Sequence, residues 1–348
     1  MIEVTLKYRM AYITLNKKHF FHNLDLIKEQ VSDKDKIAIV LKDNAYGHGL
    51  LPMAEMAKEY GVLHTVVRSA NEARLVTDYF QTILILADTK SVNLPDNAHL
   101  AINDIADLQY LSASTKIELK IDSGMHRNGI HIDEIEKAFE LIAEKKLSLK
   151  GVFTHHRSAD VLSSEYFWQE QQFDDIKQSC ETLIQKHQLP SIRYHSQNSA
   201  ATFRTKNAGD IVRVGIAAYG LLEMPANLLE QSFKPVLSLW AEQLHSFKSQ
   251  KKFKHGYEGK GVIREEKELS TYDIGYADGL LRLEDGISYL LPNGSTLIGR
   301  ISMDNIIVDA TDKTLCIYED ARVYAKTAST ISYEVTTRLA SHIKRSII

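Results

Sequence analysis

The chain has few of the groups that stabilise small secreted domains or structural metal sites. Its 348 residues include only two cysteines, Cys180 and Cys316, and these lie far apart in the sequence. This excludes a disulfide framework and a cysteine-rich metal site, and it suits a reducing compartment. No HExxH motif or paired-cysteine spacing is present either, so we expect no metal.

Long apolar runs and an excess of one charge are also missing. No stretch approaches the roughly 18 apolar residues that span a bilayer, and residues 1–15 have early charges without a long apolar core. The net charge of −3 gives no bias toward polyanions. We therefore expect a cytoplasmic protein that binds neither membranes nor nucleic acid.

Eight short β-favouring runs are present in the first two thirds of the chain, and helical patterns separate most of them. The runs are 37–42, 62–67, 83–87, 100–103, 117–122, 149–155, 192–195 and 211–216. Strands that alternate with helices are typical of parallel βαβ units, and eight units within about 200 residues favour a closed (β/α)8 TIM barrel. An open, doubly wound sheet is the competing topology.

The pattern changes after Pro235, where short strand-like runs alternate with turn residues such as Asn293 and Gly294. We therefore predict an α/β barrel domain over residues 10–234 and an all-β domain over residues 235–348, which residues 1–9 could join. The predicted strands of the second domain are 236–247, 270–276, 287–291, 296–301, 305–310, 314–318 and 321–325.

Lys42 ends the first of the eight runs, IAIVLK. Burial of an unpaired charge is costly, so we expect this ammonium group to face a cavity. A lysine in a partly dry pocket has a lowered pKa, and its neutral amine can condense with an aldehyde cofactor or remove a proton from carbon. A solvated lysine at the start of a loop is the alternative that this run leaves open.

Other candidates for chemistry follow later strands, because barrel enzymes place their sites at the carboxyl ends of strands. Arg213 lies within an apolar run and Gly215 follows it, and backbone N–H groups beside a glycine suit a phosphate. Pairing of Arg213 with a structural carboxylate is the alternative. Tyr276 lies in the turn sequence DIGYADG, where it is either a packed ring or an acid/base.

Eight short motifs, which follow one another along the chain, contain Lys42, Arg213, Tyr276 and the other candidate residues. They are VLKDNAYGHG at 40–49, KIDSGMHRNG at 120–129, THHRSAD at 154–160, HSQNSAAT at 195–202, RVGIAAYG at 213–220, IGYADG at 274–279, GRISMD at 299–304 and ISYE at 331–334. The series resembles that of the alanine racemase family over nearly the whole chain. This resemblance implies a fold-type III enzyme with pyridoxal 5'-phosphate (PLP), which interconverts L-alanine and D-alanine for peptidoglycan.

The resemblance also implies roles for single residues. Lys42 matches the family's Schiff-base lysine and one of its two catalytic bases. Tyr276 matches the opposite base, which comes from the other subunit, so a homodimer with shared active sites is implied. The matches to cofactor-binding residues are His155, His195 and Arg213 around the ring, and Tyr46, Ser199, Gly215, Ile216 and Tyr333 at the phosphate.

Three further residues match the surroundings of the reaction. Arg127 corresponds to the arginine near the cofactor's phenolic oxygen, and we regard it as a substrate-binding candidate together with Met303, which precedes Asp304 at the pocket edge. Lys120 matches a lysine that is sometimes carbamylated in the family.

The chain departs from the common family pattern at several positions near the site, which are Asp43, Asn128, His156, Arg157 and Asn305. These departures bear on the shape of the pocket and hence on the substrate. The alternatives are therefore a racemase of broader specificity, acting on serine for example, and a non-catalytic PLP-binding protein. Tyr276 and the β-rich tail argue against the second alternative.

Overall fold

The computed structural model describes residues 10–91, 93–205, 209–229 and 231–348. The described chain divides into two compact units. The barrel unit comprises residues 20–45 and 53–234, and the strand-rich unit comprises residues 10–19, 46–52 and 235–348. The suggestion that residues 1–9 join the second domain lies outside the described residues.

The elements are numbered in chain order. The strands are β1 (Tyr12–Leu15), β2 (Ile37–Val40), β3 (His64–Val67), β4 (Thr82–Ile85), β5 (Ala98–Ile102), β6 (Lys116–Lys120), β7 (Ser148–Phe153), β8 (Arg193–His195), β9 (Val212–Val214), β10 (Leu237–Ser249), β11 (Lys254–His255), β12 (Gly261–Val262), β13 (Lys267–Tyr272), β14 (Ile306–Val308), β15 (Thr314–Tyr318) and β16 (Lys344–Ile347). The helices are α1 (Lys17–Val31), α2 (Lys42–Tyr46), α3 (Leu50–Tyr60), α4 (Ala70–Val76), α5 (Ile135–Glu144), α6 (Glu165–Lys186), α7 (Ser199–Thr202), α8 (Ala321–Thr327) and α9 (Ser332–Thr337). None of the helices in the described ranges is both long and apolar enough to cross a bilayer.

The barrel unit contains the eight parallel strands that the sequence predicts. Strands β2 to β9 form one sheet in which each strand from β2 to β8 pairs with its sequence neighbour, and β2 also pairs with β9. The remaining seam between β8 and β9 has hydrogen bonds from Asp210 N–H to the Tyr194 carbonyl (3.2 Å) and from Arg213 N–H to the Gln197 carbonyl (2.9 Å). This order excludes a doubly wound sheet, in which the strand order reverses, and confirms the barrel.

The strand-rich unit is built on a six-stranded sheet in the order β14-β13-β10-β1-β16, with β15 also paired to β10. Strand β1 pairs antiparallel with β10 and parallel with β16. Ile13 and Leu15 of β1 are fully buried. The first strand of the predicted range 10–234 thus belongs to this sheet, whereas the boundary at residues 234 and 235 stays a prediction.

The end of the chain differs from the prediction. Residues 321–325, which we predicted as a strand, form helix α8, so that prediction is wrong and the unit is strand-rich with helices α8 and α9. The Asp320 carboxylate caps the helix by accepting the N–H of Arg322 (3.0 Å), and such a cap favours a helix start. The predicted strands 287–291 and 296–301 contribute only isolated bridges, Leu290 to Thr296 and Leu297 to Val308.

Position 47 needs a glycine, because the backbone of Thr336 in the same strand-rich unit comes very close to it. Its φ is +81°, and a Cβ at this position would lie 1.8 Å from the Thr336 carbonyl oxygen. We predict that Gly47→Ala lowers the free energy of unfolding by about 3 kcal/mol, because left-handed strain and overpacking add. Thermal and urea unfolding followed by circular dichroism measure this change.

Gly286 offers the matched control, since its φ is +86° and a Cβ there would meet nothing within 4 Å. Gly286→Ala should cost only the backbone strain, about 1 kcal/mol. Equal losses in the two variants would contradict the steric role of Gly47.

Candidate active site

The chain turns left-handed directly after β2. Asp43, Asn44, Ala45 and Tyr46 all have φ between 52° and 55°, although none is a glycine. Each such residue costs about 1–2 kcal/mol, and strain of this kind persists where a site needs a particular geometry. The Ala45 N–H donates to the Leu41 carbonyl (2.8 Å), which closes the turn.

Two acidic side chains in the barrel unit hold this strained turn. The Asn44 N–H donates to the Glu72 carboxylate (3.2 Å), and the Asp43 carboxylate pairs with Arg68 (3.0 Å). Asp43, which departs from the family pattern, thus has a partner on the loop after β3. The turn fixes Lys42 at the carboxyl end of its strand, as the sequence predicts.

Lys42 is half-buried, and its surroundings oppose its charge. Burial lowers the pKa of the Lys42 amine; the Asp43 carboxylate partly offsets this, and the charge of Arg127 lowers the pKa further. The direction is the one required of an amine that acts as a base or nucleophile near neutral pH.

Cationic groups crowd the same end of the barrel. Burial lowers the pKa of Lys120 to about 8, and the charges of Arg127, Arg213 and Lys42 contribute to this shift. Burial also lowers the pKa of His155 well below its usual value, with contributions from Arg213, Lys120 and Arg127. Because these groups come from several strands and repel one another, the barrel mouth favours an anionic ligand.

Lys120 is held by a short chain of amides. Its ammonium group donates to the Asn128 Oδ1 atom, and Asn128 Nδ2 donates to Asn103 Oδ1 (2.9 Å). Asn103 in turn donates to the Leu86 carbonyl (2.8 Å). Asn128, where the family usually has an apolar residue, therefore orients a lysine of the barrel mouth.

Arg213 is buried and has an acceptor for each terminal nitrogen. Its Nη1 donates to His195 Nδ1 (2.5 Å), and its Nη2 donates to the carbonyls of Thr154 (2.6 Å) and Ser196 (3.1 Å). Burial lowers the pKa of Arg213 to about 10, which still leaves the guanidinium charged at neutral pH. The structure therefore brings two predicted site residues, Arg213 and His195, into contact.

Ser199 and Gly215 also lie together, as the resemblance implies for phosphate ligands. The Ser199 Oγ accepts the N–H groups of Gly215 (3.1 Å) and Ala217 (3.3 Å). A hydroxyl accepts two hydrogen bonds and donates one, so the Ser199 hydrogen is the part of this group left for a ligand. The Gly215 N–H is directed at Ser199, which makes the neighbouring Ile216 N–H the better candidate for an anion.

The strand-rich unit contains the four remaining predicted site residues, and they form two pairs, Tyr46 with Tyr333 and Tyr276 with Met303. The rings of Tyr46 and Tyr333 lie 5.6 Å apart between centroids. Tyr276 is 40% exposed and begins a short 3-10 helix, and the N–H of the next residue donates to the Met303 carbonyl (3.0 Å). The sequence motifs around residues 276 and 303 are therefore neighbours in this unit.

The sequence analysis missed an ionic cluster inside the barrel. Glu118 is fully buried and contacts His99, Arg193 and His195. Its signal was visible, since Glu118 lies between the apolar residues Ile117 and Leu119 and shares the strand face of Lys120, two positions later. The partners lie on other strands, and the sequence alone did not indicate them.

The fold and the site together define a class, a barrel enzyme with a lysine and other cations at its mouth for a small anionic molecule. Comparison with known proteins narrows this class. The family model for the alanine racemase N-terminal domain matches residues 15–223, and the model for the alanine racemase C-terminal domain matches residues 236–347. The chain belongs to the alanine racemase family.

Individual relatives match this chain over at least 95% of their own length. An alanine racemase of a Nitratiruptor species is 44% identical over 339 residues, which cover 97% of this chain and 100% of the relative. The crystal structure of alanine racemase from Bacillus anthracis, with bound L-Ala-P, matches with a TM-score of 0.83 and 26% identity over 98% of this chain and 95% of that one. A histidine racemase from Leuconostoc mesenteroides subsp. sake has a TM-score of 0.84 at 23% identity over 98% and 99% of the two chains, which shows the shared fold alone.

The lowered pKa of Lys42 generates a test on the cofactor-free protein. We predict that acetylation of Lys42 by limiting acetic anhydride reaches half its maximum at a lower pH than acetylation of free lysine. In Arg127→Gln this midpoint should rise, because the charge of Arg127 lowers the Lys42 pKa. Peptide mass spectrometry across a pH series measures both midpoints.

The exposed Lys90 serves as the internal reference for reagent reactivity. A Lys42 midpoint that equals the free-lysine value, or that stays unchanged in Arg127→Gln, would contradict the electrostatic account of the barrel mouth.

Proposed function

We propose that this chain interconverts L-alanine and D-alanine with PLP as cofactor, by a mechanism with two bases. The observation that supports this most is the half-buried Lys42 in a cationic barrel mouth, in a chain that matches alanine racemases from end to end. In the family this reaction supplies D-alanine for peptidoglycan. The cytoplasmic location stays a prediction.

The residues around Arg213 fit the ring of PLP. When bound, PLP supplies an aldehyde that condenses with amines and a ring that withdraws electrons from the substrate Cα. Arg213 would face the ring nitrogen and donate a hydrogen bond without giving up its proton, since a guanidinium stays charged at working pH. The charge of Arg213 lowers the pKa of His155, which is the third group proposed for the ring. Arg127 would face the phenolic oxygen, whose negative charge suits the surrounding cations.

A second set of groups fits the phosphate. The Ser199 hydroxyl has its hydrogen left to donate, and the Ile216 N–H follows β9. The Gly215 N–H would act through Ser199, whose Oγ accepts it. Tyr46 and Tyr333, which the strand-rich unit holds together, would contribute two phenolic hydroxyls. Hydroxyl and backbone N–H donors are the groups that bind phosphate in proteins.

Inversion at Cα requires that one group remove a proton from one face and a second group deliver a proton to the other. The lowered pKa of Lys42 makes its neutral amine accessible, so Nζ can accept the proton or return it. The Tyr276 hydroxyl would act on the opposite face. The two groups exchange roles when the reaction runs in reverse.

Lys42 and Tyr276 belong to different units of the chain. We propose that Tyr276 reaches the site from a second copy, so that a homodimer has two sites with one base from each subunit. The exposure of the Tyr276 side chain in one copy agrees with this arrangement.

Arg127 and Met303 are the proposed groups for the substrate. A guanidinium suits the carboxylate of an amino acid, and Met303 would limit the room for its side chain. A racemisation assay across alanine, serine and histidine tests this choice. Conversion of serine or histidine without conversion of alanine would favour the broader-specificity alternative, and no conversion of any amino acid by the PLP-loaded protein would favour a non-catalytic PLP-binding protein.

The two-base assignment predicts different isotope exchange in two variants. In D2O, Tyr276→Phe should still exchange the α-proton of one alanine enantiomer for deuterium while its racemisation falls about 10²–10⁴-fold, because only one base remains. Lys42→Ala should lose racemisation and the visible absorbance of the bound cofactor. NMR of alanine and chiral chromatography measure exchange and inversion separately.

Tyr257→Phe is the matched control, since Tyr257 is exposed in the same unit and removal of its hydroxyl should leave both rates unchanged. The assignment of Tyr276 is wrong if Tyr276→Phe racemises alanine at the wild-type rate in both directions.

A further inference from the structure

A buried carboxylate lies inside the barrel beneath its mouth. Glu118 on β6 is fully buried, in an interior position where barrels usually have branched apolar side chains. Its Oε1 lies 2.7 Å from His99 Nδ1, and its Oε2 lies 2.7 Å from His195 Nε2. Arg193 contacts both oxygens, through Nη2 to Oε1 and through Nε to Oε2 (3.3 Å).

The ionic cluster fits inside the barrel because one neighbouring strand position, Gly151, has no side chain. In the register of the sheet, Gly151 on β7 lies between Glu118 on β6 and Arg193 on β8. A Cβ at Gly151 would lie 2.8 Å from the Glu118 Oε2 and 2.9 Å from the Arg193 Cγ. The carboxylate and the guanidinium therefore meet across a strand that has no side chain at that point.

Glu118 stays ionised in this position. Burial by itself raises the pKa of the Glu118 carboxyl, but the charge of Arg193 and hydrogen bonds from His195 and His99 outweigh it. The net pKa lies well below the usual value. A carboxylate in this state only accepts hydrogen bonds.

The ionised carboxylate decides which ring nitrogen of His195 holds the hydrogen. Burial lowers the pKa of His195 to about 4, although the hydrogen bond to Glu118 opposes this shift, so the imidazole is neutral at pH 7. The nitrogen that faces Glu118 must then be Nε2–H. Nδ1 is left with a lone pair, and this atom accepts the hydrogen of Arg213 Nη1 at 2.5 Å.

We propose that Glu118 is a positioning residue, which fixes the Nε2–H form of His195 and thereby holds the Arg213 guanidinium in place for the cofactor ring. The part that concerns the ring rests on the proposed function, whereas the part that concerns His195 does not. In the other tautomer the Nδ1–H group would point at the Nη1–H of Arg213, two donors would face each other, and Arg213 would turn away.

Glu118→Gln tests this positioning with little change in volume. The glutamine amide can donate a hydrogen to Nε2, so the Nδ1–H form of His195 gains population. In cofactor-free protein with ¹⁵N-labelled histidine, the His195 ring nitrogens should show Nε2–H in the wild type and a shift toward Nδ1–H in Glu118→Gln. The signal is assigned by its loss in His195→Asn.

The PLP-loaded protein gives the second measurement. If Arg213 shifts, the ring nitrogen loses its fixed donor, so the pH dependence of the visible absorbance should change and kcat should fall about tenfold or more, with a smaller change in KM. Glu118→Asp keeps the charge and should restore the Nε2–H form and most of kcat. It also keeps the test decisive if Glu118→Gln does not fold.

Glu136→Gln is the matched control, because Glu136 forms an exposed pair with Lys186 on the helical layer of the same unit. It should leave the His195 signals, the absorbance and kcat unchanged. An unchanged His195 tautomer in Glu118→Gln would overturn the proposal, as would a changed tautomer with unchanged absorbance and kcat. Failure of the wild type to bind PLP would instead overturn the proposed function and leave the tautomer result standing.

Discussion

The site depends on one buried cation, the Arg213 guanidinium. A buried charge is tolerated only where hydrogen-bond partners surround it. Here the ends of β7 and β8 supply the carbonyls of Thr154 and Ser196, and His195 supplies a ring nitrogen. Glu118 supplies a negative charge behind His195. The interior of the barrel is thus organised to keep one buried guanidinium charged and fixed in position.

This arrangement explains the electrostatics of the mouth. The charge of Arg213 acts on Lys120 and His155, whose pKa values burial already lowers, and Arg127 acts on Lys42 in the same direction. Two local features complete the candidate site, the left-handed turn after Lys42 and the lack of a side chain at Gly151 beside Glu118. The turn positions the charge of Lys42, and the missing side chain at Gly151 leaves room for the charge of Glu118. An ordinary apolar barrel has no charged group at either position. An anionic cofactor would relieve the repulsion among these cations.

Much of the barrel could be predicted from sequence, because parallel strands buried on both faces are continuous apolar runs such as Ile37–Val40. Two of the runs also indicated site residues, Lys42 at the end of its run and Arg213 within its run. The pairing of β1 with β10 could not be predicted, since it joins residues more than 200 positions apart. The helix at Ala321–Thr327 was missed because its apolar residues also suit a strand, and the Asp320 cap decided the outcome. The partners of Glu118 lie on other strands, so only the fold brings them together.

The central claim is that Lys42 and Tyr276 act on the same alanine molecule from two copies of the chain. Co-expression of Lys42→Ala and Tyr276→Phe chains tests it most directly, because each mixed dimer would contain one site with both bases. The account predicts that each variant alone has at most about one hundredth of the wild-type racemisation rate. The mixture should recover roughly a quarter of the wild-type rate, as expected for random pairing in a two-fold dimer. A mixture no more active than the two variants alone would contradict the account.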